Sequence, residues 1–170
     1  MTAHGDRLPS TLQNLPICDP SAMAQQLVDG AILALGSNHD SGRYFDIAHQ
    51  ELLRLGKICA SNLLVNPDFT STQANPKPDY TNQAMVLILA QPLPLSKLEQ
   101  KLKAIEKCCN RCREPKNPQN LVTMDIDILL VKIAVTPSWI ILANRYPLKT
   151  HELCGLAELG LRSDTANHSG

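Results

Sequence analysis

The sequence lacks an excess of charge, a long apolar run and a secretory signal. Its 16 basic and 16 acidic residues give a formal net charge of zero, so no nucleic acid partner is expected. No run approaches the roughly 18 apolar residues of a membrane span, and no apolar segment follows a basic one near the N-terminus. We therefore expect a protein of the cytoplasm with no membrane partner.

Signatures of two common enzyme classes are also absent. No glycine-rich Walker loop is present, which argues against a P-loop enzyme, and no set of Ser, His and Asp suggests a hydrolase. The six cysteines are unevenly spread, and Cys59 lies inside a predicted strand, so reduced thiols are favoured over a disulfide framework. This pattern is typical of a reducing compartment.

What the sequence does contain is typical of one globular domain. Its composition, 44% apolar and 19% charged, suits a globular protein. Its length of 170 residues is enough for one sizeable core and too short for two. Apolar periodicity is weak near the N-terminus and at the end of the chain. We therefore expect a tail over residues 1–28, a domain over residues 29–162 and a frayed tail over residues 163–170.

Hydrophobic patterning predicts core elements in the order β-α-β-β-α-β. Ser96 and Glu99 have the spacing of a capping box, which would start the second helix. The order is that of a ferredoxin-like, split βαβ fold of the α+β class, with a four-stranded antiparallel sheet, two helices on one face and a C-terminal extension. The predicted strands cover about residues 31–35, 57–65, 82–91 and 122–131, and the predicted helices cover about residues 44–55 and 96–111.

Asp125 and Asp127 stand two residues apart in the last predicted strand. Alternate residues of a strand point to the same side, about 6.6 to 6.8 Å apart, so both carboxylates face one site. Two hard oxygen ligands on a rigid strand suit Mg²⁺, although a solvated strand face is the alternative. Continued alternation would place Leu129 and Val131 on the aspartate face and Leu130 on the other.

Basic residues precede this strand. Arg111 and Arg113 fall at the end of the second helix, and Lys116 follows in the loop that leads to the aspartates. Phosphoryl transfer needs both a metal between phosphate oxygens and cationic groups that neutralise charge in the transition state. The alternative is that the two arginines only stabilise the helix through its macrodipole.

Three segments, in this order, resemble the 6-hydroxymethyl-7,8-dihydropterin pyrophosphokinases of folate biosynthesis. They are Ala34–Asn38 after the first strand, Pro78–Ala84 at the start of the third, and Thr123–Leu130 around the aspartates. Between them, Glu106 and the arginine pair are similar to the helix and basic residues that precede the family's catalytic loop. Order and rough spacing agree over about residues 31–131.

The resemblance implies transfer of a pyrophosphoryl group from ATP, the co-substrate, to the hydroxymethyl oxygen of a reduced pterin, with release of AMP. By position, Asp125 and Asp127 would hold two magnesium ions and would form the catalytic set with Arg111 and Arg113. The amide of Asn82 has both a donor and an acceptor for the edge of a pterin. The residues implied to bind ATP are Glu106, Arg111, Arg113, Lys116 and Ile128, and those implied to bind the pterin are Asn66, Pro67, Tyr80 and Asn82.

The segment before the aspartate strand departs from the family pattern. The family carries an Arg-Trp-Gly-Pro-Arg-like stretch there, whereas residues 117–122 of this chain include neither an aromatic residue nor an arginine. Val122, at the position of the last arginine, neither donates a side-chain hydrogen bond nor neutralises charge. A divergent paralogue that binds pterin or nucleotide with little catalysis is therefore the alternative to an active enzyme.

A structural zinc site is a minor alternative. Cys109 and Cys112 have ligand-like spacing for tetrahedral zinc, and so do His151 and Cys154. Cys109 also falls on the apolar stripe of the second helix, where a free cysteine behaves as a small hydrophobic residue.

Overall fold

The computed structural model describes residues 8–9, 11–113, 121–136 and 138–161. The predicted contact of Lys116 and the predicted tail over residues 163–170 lie outside this range. The described residues form strands, three α-helices and one 3-10 helix at Ala143–Arg145. The strands are β1 (Ile17–Cys18), β2 (Leu27–Ser37), β3 (Gly56–Ala60), β4 (Leu64–Asn66), β5 (Tyr80–Pro94), β6 (Asp125–Ile133) and β7 (Trp139–Leu142), and the helices are α1 (Ser41–Leu53), α2 (Leu95–Cys108) and α3 (Thr150–Glu158).

All seven strands of the described residues belong to one sheet. Its order is β1-β7-β6-β2-β5-β3, and β4 pairs with the first residues of β5. Neighbouring strands are antiparallel, except that β1 and β7 run parallel. The predicted combination of helices with a largely antiparallel sheet is confirmed. The predicted count of four strands is wrong, because β1, β4 and β7 also join the sheet.

The second predicted strand is divided in two at Ser61. Its Oγ accepts a hydrogen bond from the backbone N–H of Ala84 at 3.0 Å, and its carbonyl accepts one from Gln83 Nε2 at 2.8 Å. The backbone N–H of Ser61 still donates to the carbonyl of Ala84 at 2.9 Å, but the return bond goes to the Ser61 side chain, and β3 ends at Ala60 while β4 starts at Leu64. Both pieces pair with β5, whose 15 residues are long enough to hold them.

Part of the predicted N-terminal tail packs against the domain. β1 pairs with β7, and the carbonyls of Ala24 and Gln26 accept hydrogen bonds from the N–H groups of Ser96 and Leu95, each at 3.0 Å. These carbonyls satisfy the first donors of α2, whose N-cap is Pro94 and has no side-chain cap. The predicted capping box at Ser96 is therefore wrong.

Helices cover both faces of the sheet. The larger apolar cluster lies under α1 and α2 and includes Leu33 and Met85. The smaller cluster lies under α3 and includes Ile32 and Leu156. In the described part of the chain, no helix combines the length and the apolar character needed to cross a membrane.

A bulge in β6 changes the side-chain alternation after the aspartates, because its register with β2 shifts there. Leu129 and Leu130 both pack in the cluster under α3, and Val131 packs under α1 and α2. The predicted faces of Leu130 and Val131 are therefore wrong. Asp125 and Asp127 come before the bulge and keep a common face.

Candidate active site

A cleft of about 680 Å³ lies where the ends of β2, β5 and β6 meet, on the face covered by α3. Because these strands are antiparallel, Gly36 near the end of β2 lies between Asn82 of β5 and Asp125 of β6. A Cβ on Gly36 would stand 3.2 Å from Oδ1 of Asn82. Because Gly36 has no side chain, the bottom of the cleft stays open between β5 and β6.

Asp125 and Asp127 both line the cleft, and each is paired with an arginine. Asp125 Oδ1 lies 3.5 Å from Nη2 of Arg113, and Asp127 Oδ2 lies 3.2 Å from Nη2 of Arg145. Burial and the neighbouring charge of Asp125 raise the pKa of Asp127 to about 6, against the lowering effect of Arg145. The two carboxylates repel each other, which favours a cation beside them.

Glu106 of α2 is buried and joins that helix to the start of β6, with only 3% of the residue exposed. Its Oε1 accepts a hydrogen bond from the N–H of Ile126 at 2.9 Å, and its Oε2 lies 2.8 Å from Nη2 of Arg113. The hydrogen bond to Glu106 raises the pKa of Arg113. Both oxygens of Glu106 thus have protein donors, and its contact with a nucleotide stays a prediction.

The other described residues predicted to bind ATP do not line the cleft. Arg113 reaches its edge through the ion pair with Asp125. Arg111 Nη1 donates to the carbonyl of Cys112 at 3.4 Å, and its buried Nε has no hydrogen-bond partner among the described residues. The side chain of Ile128 packs under α1 and α2, on the face opposite to the aspartates. The nucleotide contacts of these residues stay predictions.

The four residues predicted to bind a pterin lie together in the cleft. Asn66 of β4 pairs with Tyr80 of β5, and Asn82 Nδ2 donates a hydrogen bond to Asn66 Oδ1 at 2.6 Å. Pro67 directly follows Asn66 in the chain. Tyr80 is partly buried, which raises its pKa. Amide groups beside an aromatic ring suit a planar heterocycle with alternating donors and acceptors.

The sequence did not reveal the charged residues around the start of α3 as part of the site. Arg145, Lys149, His151 and Glu152 all line the cleft. Arg145 Nη2 lies 3.0 Å from Glu152 Oε1 as well as close to Asp127, and burial lowers the pKa of His151. The density of charged residues in this segment is a weak signal, because nothing local indicates that the segment reaches the aspartate strand.

Most of the chain matches one known family. The profile of the 7,8-dihydro-6-hydroxymethylpterin-pyrophosphokinase (HPPK) family matches residues 32–155. The chain belongs to the HPPK family. No curated protein matches it. The matched range runs from β2 into α3 and contains every described residue that lines the cleft, so it confirms the resemblance found in the sequence.

The cleft of this HPPK family member has more carboxylates than basic groups. The described residues that line it include four carboxylates and three basic side chains, Arg145, Lys149 and His151, and burial lowers the pKa of His151. This balance would repel the phosphates of a nucleotide unless cations accompany them. Asp125 and Asp127 supply two carboxylates, which Mg²⁺ commonly takes from a protein while water and phosphate oxygens complete its shell. The donor set therefore fits magnesium.

The described residues do not support the zinc alternative. They contain no group of three His, Cys, Asp or Glu side chains that could hold a metal ion. Cys109 is buried, with its Sγ 3.7 Å from the carbonyl oxygen of Tyr44. Burial raises the pKa of the Cys109 thiol to about 11, which disfavours the thiolate that zinc requires. Cys109 is a core residue of this HPPK domain.

Proposed function

We propose that this protein is a Mg²⁺-dependent pyrophosphokinase that transfers pyrophosphate from ATP to 6-hydroxymethyl-7,8-dihydropterin and releases AMP, a step of folate biosynthesis. One observation carries the proposal: the aspartate pair of β6 and the polar and aromatic group of β4 and β5 lie in a single cleft. The volume of about 680 Å³ falls within the range of small-molecule sites, roughly 300 to 1,000 Å³. Membership of the HPPK family supports the same reaction.

In this proposal Asp125 and Asp127 hold two magnesium ions. When bound, these ions neutralise negative charge on the transferring phosphates. The raised pKa of Asp127 supports the assignment, because burial and the neighbouring charge of Asp125 both disfavour the bare carboxylate, which a bound cation stabilises. Arg113 helps to hold Asp125 in place, because its Nη2 lies 2.8 Å from Oε2 of buried Glu106 and 3.5 Å from Oδ1 of Asp125.

Asn66, Tyr80 and Asn82 orient the pterin, together with the loop that begins at Pro67. Asn82 and Asp125 are both paired with Gly36 of β2, on its two sides. In this proposal a pterin that is hydrogen bonded to Asn82 directs its hydroxymethyl group toward the metal site. Holding both reactants in one cleft lowers the entropic part of the barrier, which is a major contribution in phosphoryl transfer.

Glu106, Arg111, Arg113, Lys116 and Ile128 are the proposed nucleotide contacts. Arg111 is favoured by its buried Nε, which has no hydrogen-bond partner among the described residues and suits a phosphate oxygen. Ile128 would act through its backbone, since its side chain packs on the opposite face of the sheet.

The reaction is tested by following AMP release from ATP and Mg²⁺ in the presence of 6-hydroxymethyl-7,8-dihydropterin. We expect Asp125→Ala to lower kcat/KM by roughly two to three orders of magnitude, because a metal ligand and its charge are lost. Asp46→Ala removes an exposed carboxylate of α1 and serves as the matched control. Wild-type AMP release no greater than that of Asp125→Ala would remove the enzyme proposal.

A paralogue that binds pterin or nucleotide with little catalysis is the second candidate. It is favoured by Val122, whose N–H donates to Asn38 Oδ1 at 2.6 Å and whose carbonyl accepts from the N–H of Asn38 at 2.9 Å. These bonds hold an apolar residue where the family pattern has an arginine. Calorimetry separates the candidates: binding of pterin or of magnesium with an ATP analogue, without AMP release, would favour the paralogue.

A further inference from the structure

We propose that Gln83 is a positioning residue for the pterin: its amide holds a bulge between β3 and β4, and this bulge turns Asn66 into the cleft, where Asn66 orients Asn82. This role rests on the proposed function. Gln83 does not itself line the cleft, so it acts through the strand that it holds.

The outer strand has one residue more than β5 at the junction of β3 and β4. The last residue of β3 pairs with Met85 and the first residue of β4 pairs with Asn82, so residues 61–63 lie opposite only residues 83 and 84. A bulge of this kind re-aims the side chains that follow it, because a shift of one residue moves each of them to the other face of the sheet.

The side chains of β3 and β4 confirm this change of face. In β3 the even-numbered Ile58 packs against the cluster under α1 and α2. In β4 the even-numbered Leu64 and Asn66 line the cleft, on the face covered by α3. A regular strand would keep all even-numbered residues on one face, so without the bulge Asn66 would point toward α1 and α2.

Two buried side chains hold the bulge. Gln83 Nε2 donates a hydrogen bond to the carbonyl of Ser61 at 2.8 Å, and Ser61 Oγ accepts one from the N–H of Ala84 at 3.0 Å. Gln83 is 9% exposed and Ser61 is 7% exposed, so water does not readily replace either bond. Removal of the Gln83 donor therefore favours a return to regular pairing.

His49 of α1 binds the other end of the Gln83 amide. Because Nε2 of Gln83 donates to Ser61, its Oε1 is the acceptor for His49 Nε2, which lies 2.7 Å away. Removal of the His49 ring leaves the donor to Ser61 in place. A change at His49 thus disturbs the same buried amide without loosening the bulge.

Asn66 uses its place in the cleft to orient Asn82. Asn82 Nδ2 donates to Asn66 Oδ1 at 2.6 Å, and Asn82 Oδ1 points toward β2, where a Cβ on Gly36 would stand 3.2 Å from it. In this orientation Oδ1 can accept an N–H of a planar heterocycle. If Asn66 left the cleft, the amide of Asn82 would lose the partner that sets which end faces the ligand.

Calorimetry tests the role by measuring the Kd of 6-hydroxymethyl-7,8-dihydropterin in the presence of Mg²⁺ and α,β-methylene-ATP. We expect Gln83→Leu to weaken pterin binding by about tenfold, because Asn82 is no longer held in one orientation. The affinity for Mg²⁺ with α,β-methylene-ATP should stay at the wild-type value. His49→Ala is the matched control and keeps wild-type affinity for both ligands.

Ser61→Ala removes the second bond of the bulge and is expected to weaken pterin binding in the same way. It decides the role if Gln83→Leu does not fold. A double-mutant cycle adds a readout that lost stability alone would not produce. Because Gln83 acts through Asn66, Gln83→Leu should weaken pterin binding little further in an Asn66→Ala background.

Three outcomes would overturn the role, and each has a different meaning. Wild-type pterin affinity in folded Gln83→Leu and Ser61→Ala would remove it and leave the proposed reaction intact. Equal losses of affinity for the pterin and the nucleotide analogue, or a full further loss in the Asn66→Ala background, would make the bulge a structural feature only. Failure of wild type to bind the pterin would remove the proposed function, and this role with it.

Discussion

The surroundings of Asp127 disfavour its ionised form in the metal-free protein. Its pKa rises from an ordinary 3.8 to about 6, chiefly through burial. A carboxyl group whose pKa is higher in the folded than in the unfolded chain contributes its full stabilisation when the pH is below the pKa of the unfolded chain. This contribution is lost as the pH rises through 6, the pKa in the folded protein. At neutral pH the charged carboxylate is therefore destabilising, and binding of a cation offsets that cost.

We expect Asp127→Asn to stabilise the metal-free protein at pH 7.5 by about 1 kcal/mol, a figure reduced for a side chain that is one-third exposed. The gain should shrink as the pH falls from 7.5 to 4, because the wild-type carboxyl becomes neutral. Urea unfolding at several pH values measures it, with exposed Asp46→Asn as the control. A gain that does not depend on pH would contradict the assigned cause.

Asn82 is the residue on which pterin recognition depends most directly in the proposed reaction. Asn82→Ala removes both its donor and its acceptor, and we expect the KM for the pterin to rise roughly 10- to 100-fold, the effect of one or two lost hydrogen bonds. Affinity for magnesium with an ATP analogue should stay unchanged. Asn62→Ala changes an exposed asparagine and is the control. An equal effect on both substrates would indicate a structural role.

At the scale of elements, Glu106 fastens α2 to β6. Glu106→Ala leaves the N–H of Ile126 without its acceptor and Arg113 without its closer carboxylate, so we expect a loss of about 2 to 3 kcal/mol in unfolding free energy. Glu106→Gln keeps an oxygen for Ile126 and should lose less. Exposed Glu99→Ala on the same helix is the control. Unchanged stability with weakened ATP binding would instead favour the predicted nucleotide contact.

The docking of α3 depends on a glycine. A Cβ at Gly155 would stand 2.6 Å from the Cβ of Ala84, so α3 lies closer to β5 than an alanine permits. We expect Gly155→Ala to cost about 1 to 3 kcal/mol and to lower nucleotide affinity, because α3 carries Glu152. Chemical unfolding and calorimetry measure the two effects.

Gly42 of α1 is the matched control for that change. A Cβ there meets nothing within 4 Å, so Gly42→Ala should stabilise the protein by roughly 0.5 to 1 kcal/mol through helix propensity. Similar effects of the two substitutions would show that contact with Ala84 is not the cause of the Gly155 result.

At the scale of the whole molecule, ligand binding and folding are coupled through the cleft. Its walls come from β2, β4, β5, β6 and the segment into α3, so the site exists only when these distant parts of the chain are packed together. A ligand present at 100 times its Kd stabilises the folded state by about 2.7 kcal/mol. We expect Mg²⁺ with an ATP analogue to raise the unfolding temperature, and Mg²⁺ alone to raise it less. No rise with both present would argue against nucleotide binding.

The sequence by itself determined the parts of this protein that depend on local patterns. Apolar periodicity placed α1, α2 and the strands that became β2, β5 and β6, and the two-residue period of a strand placed Asp125 and Asp127 on one face. Ordered segments also indicated the family, and the family profile confirms it. The helices, the strands and the common face of the aspartates could be predicted because each depends on the spacing of neighbouring residues, and the family could be indicated because its segments keep their order along the chain.

Tertiary structure decided what depends on residues far apart in the chain. The strands β1, β4 and β7 are short and exist through pairing with distant partners, and the start of α2 is capped by carbonyls of Ala24 and Gln26 rather than by Ser96. Arg145 joins the cleft only because β7 lies against β6. Hydrogen bonds and ion pairs of this kind have no local periodicity, so only the folded chain shows that the aspartate pair has a guanidinium beside it.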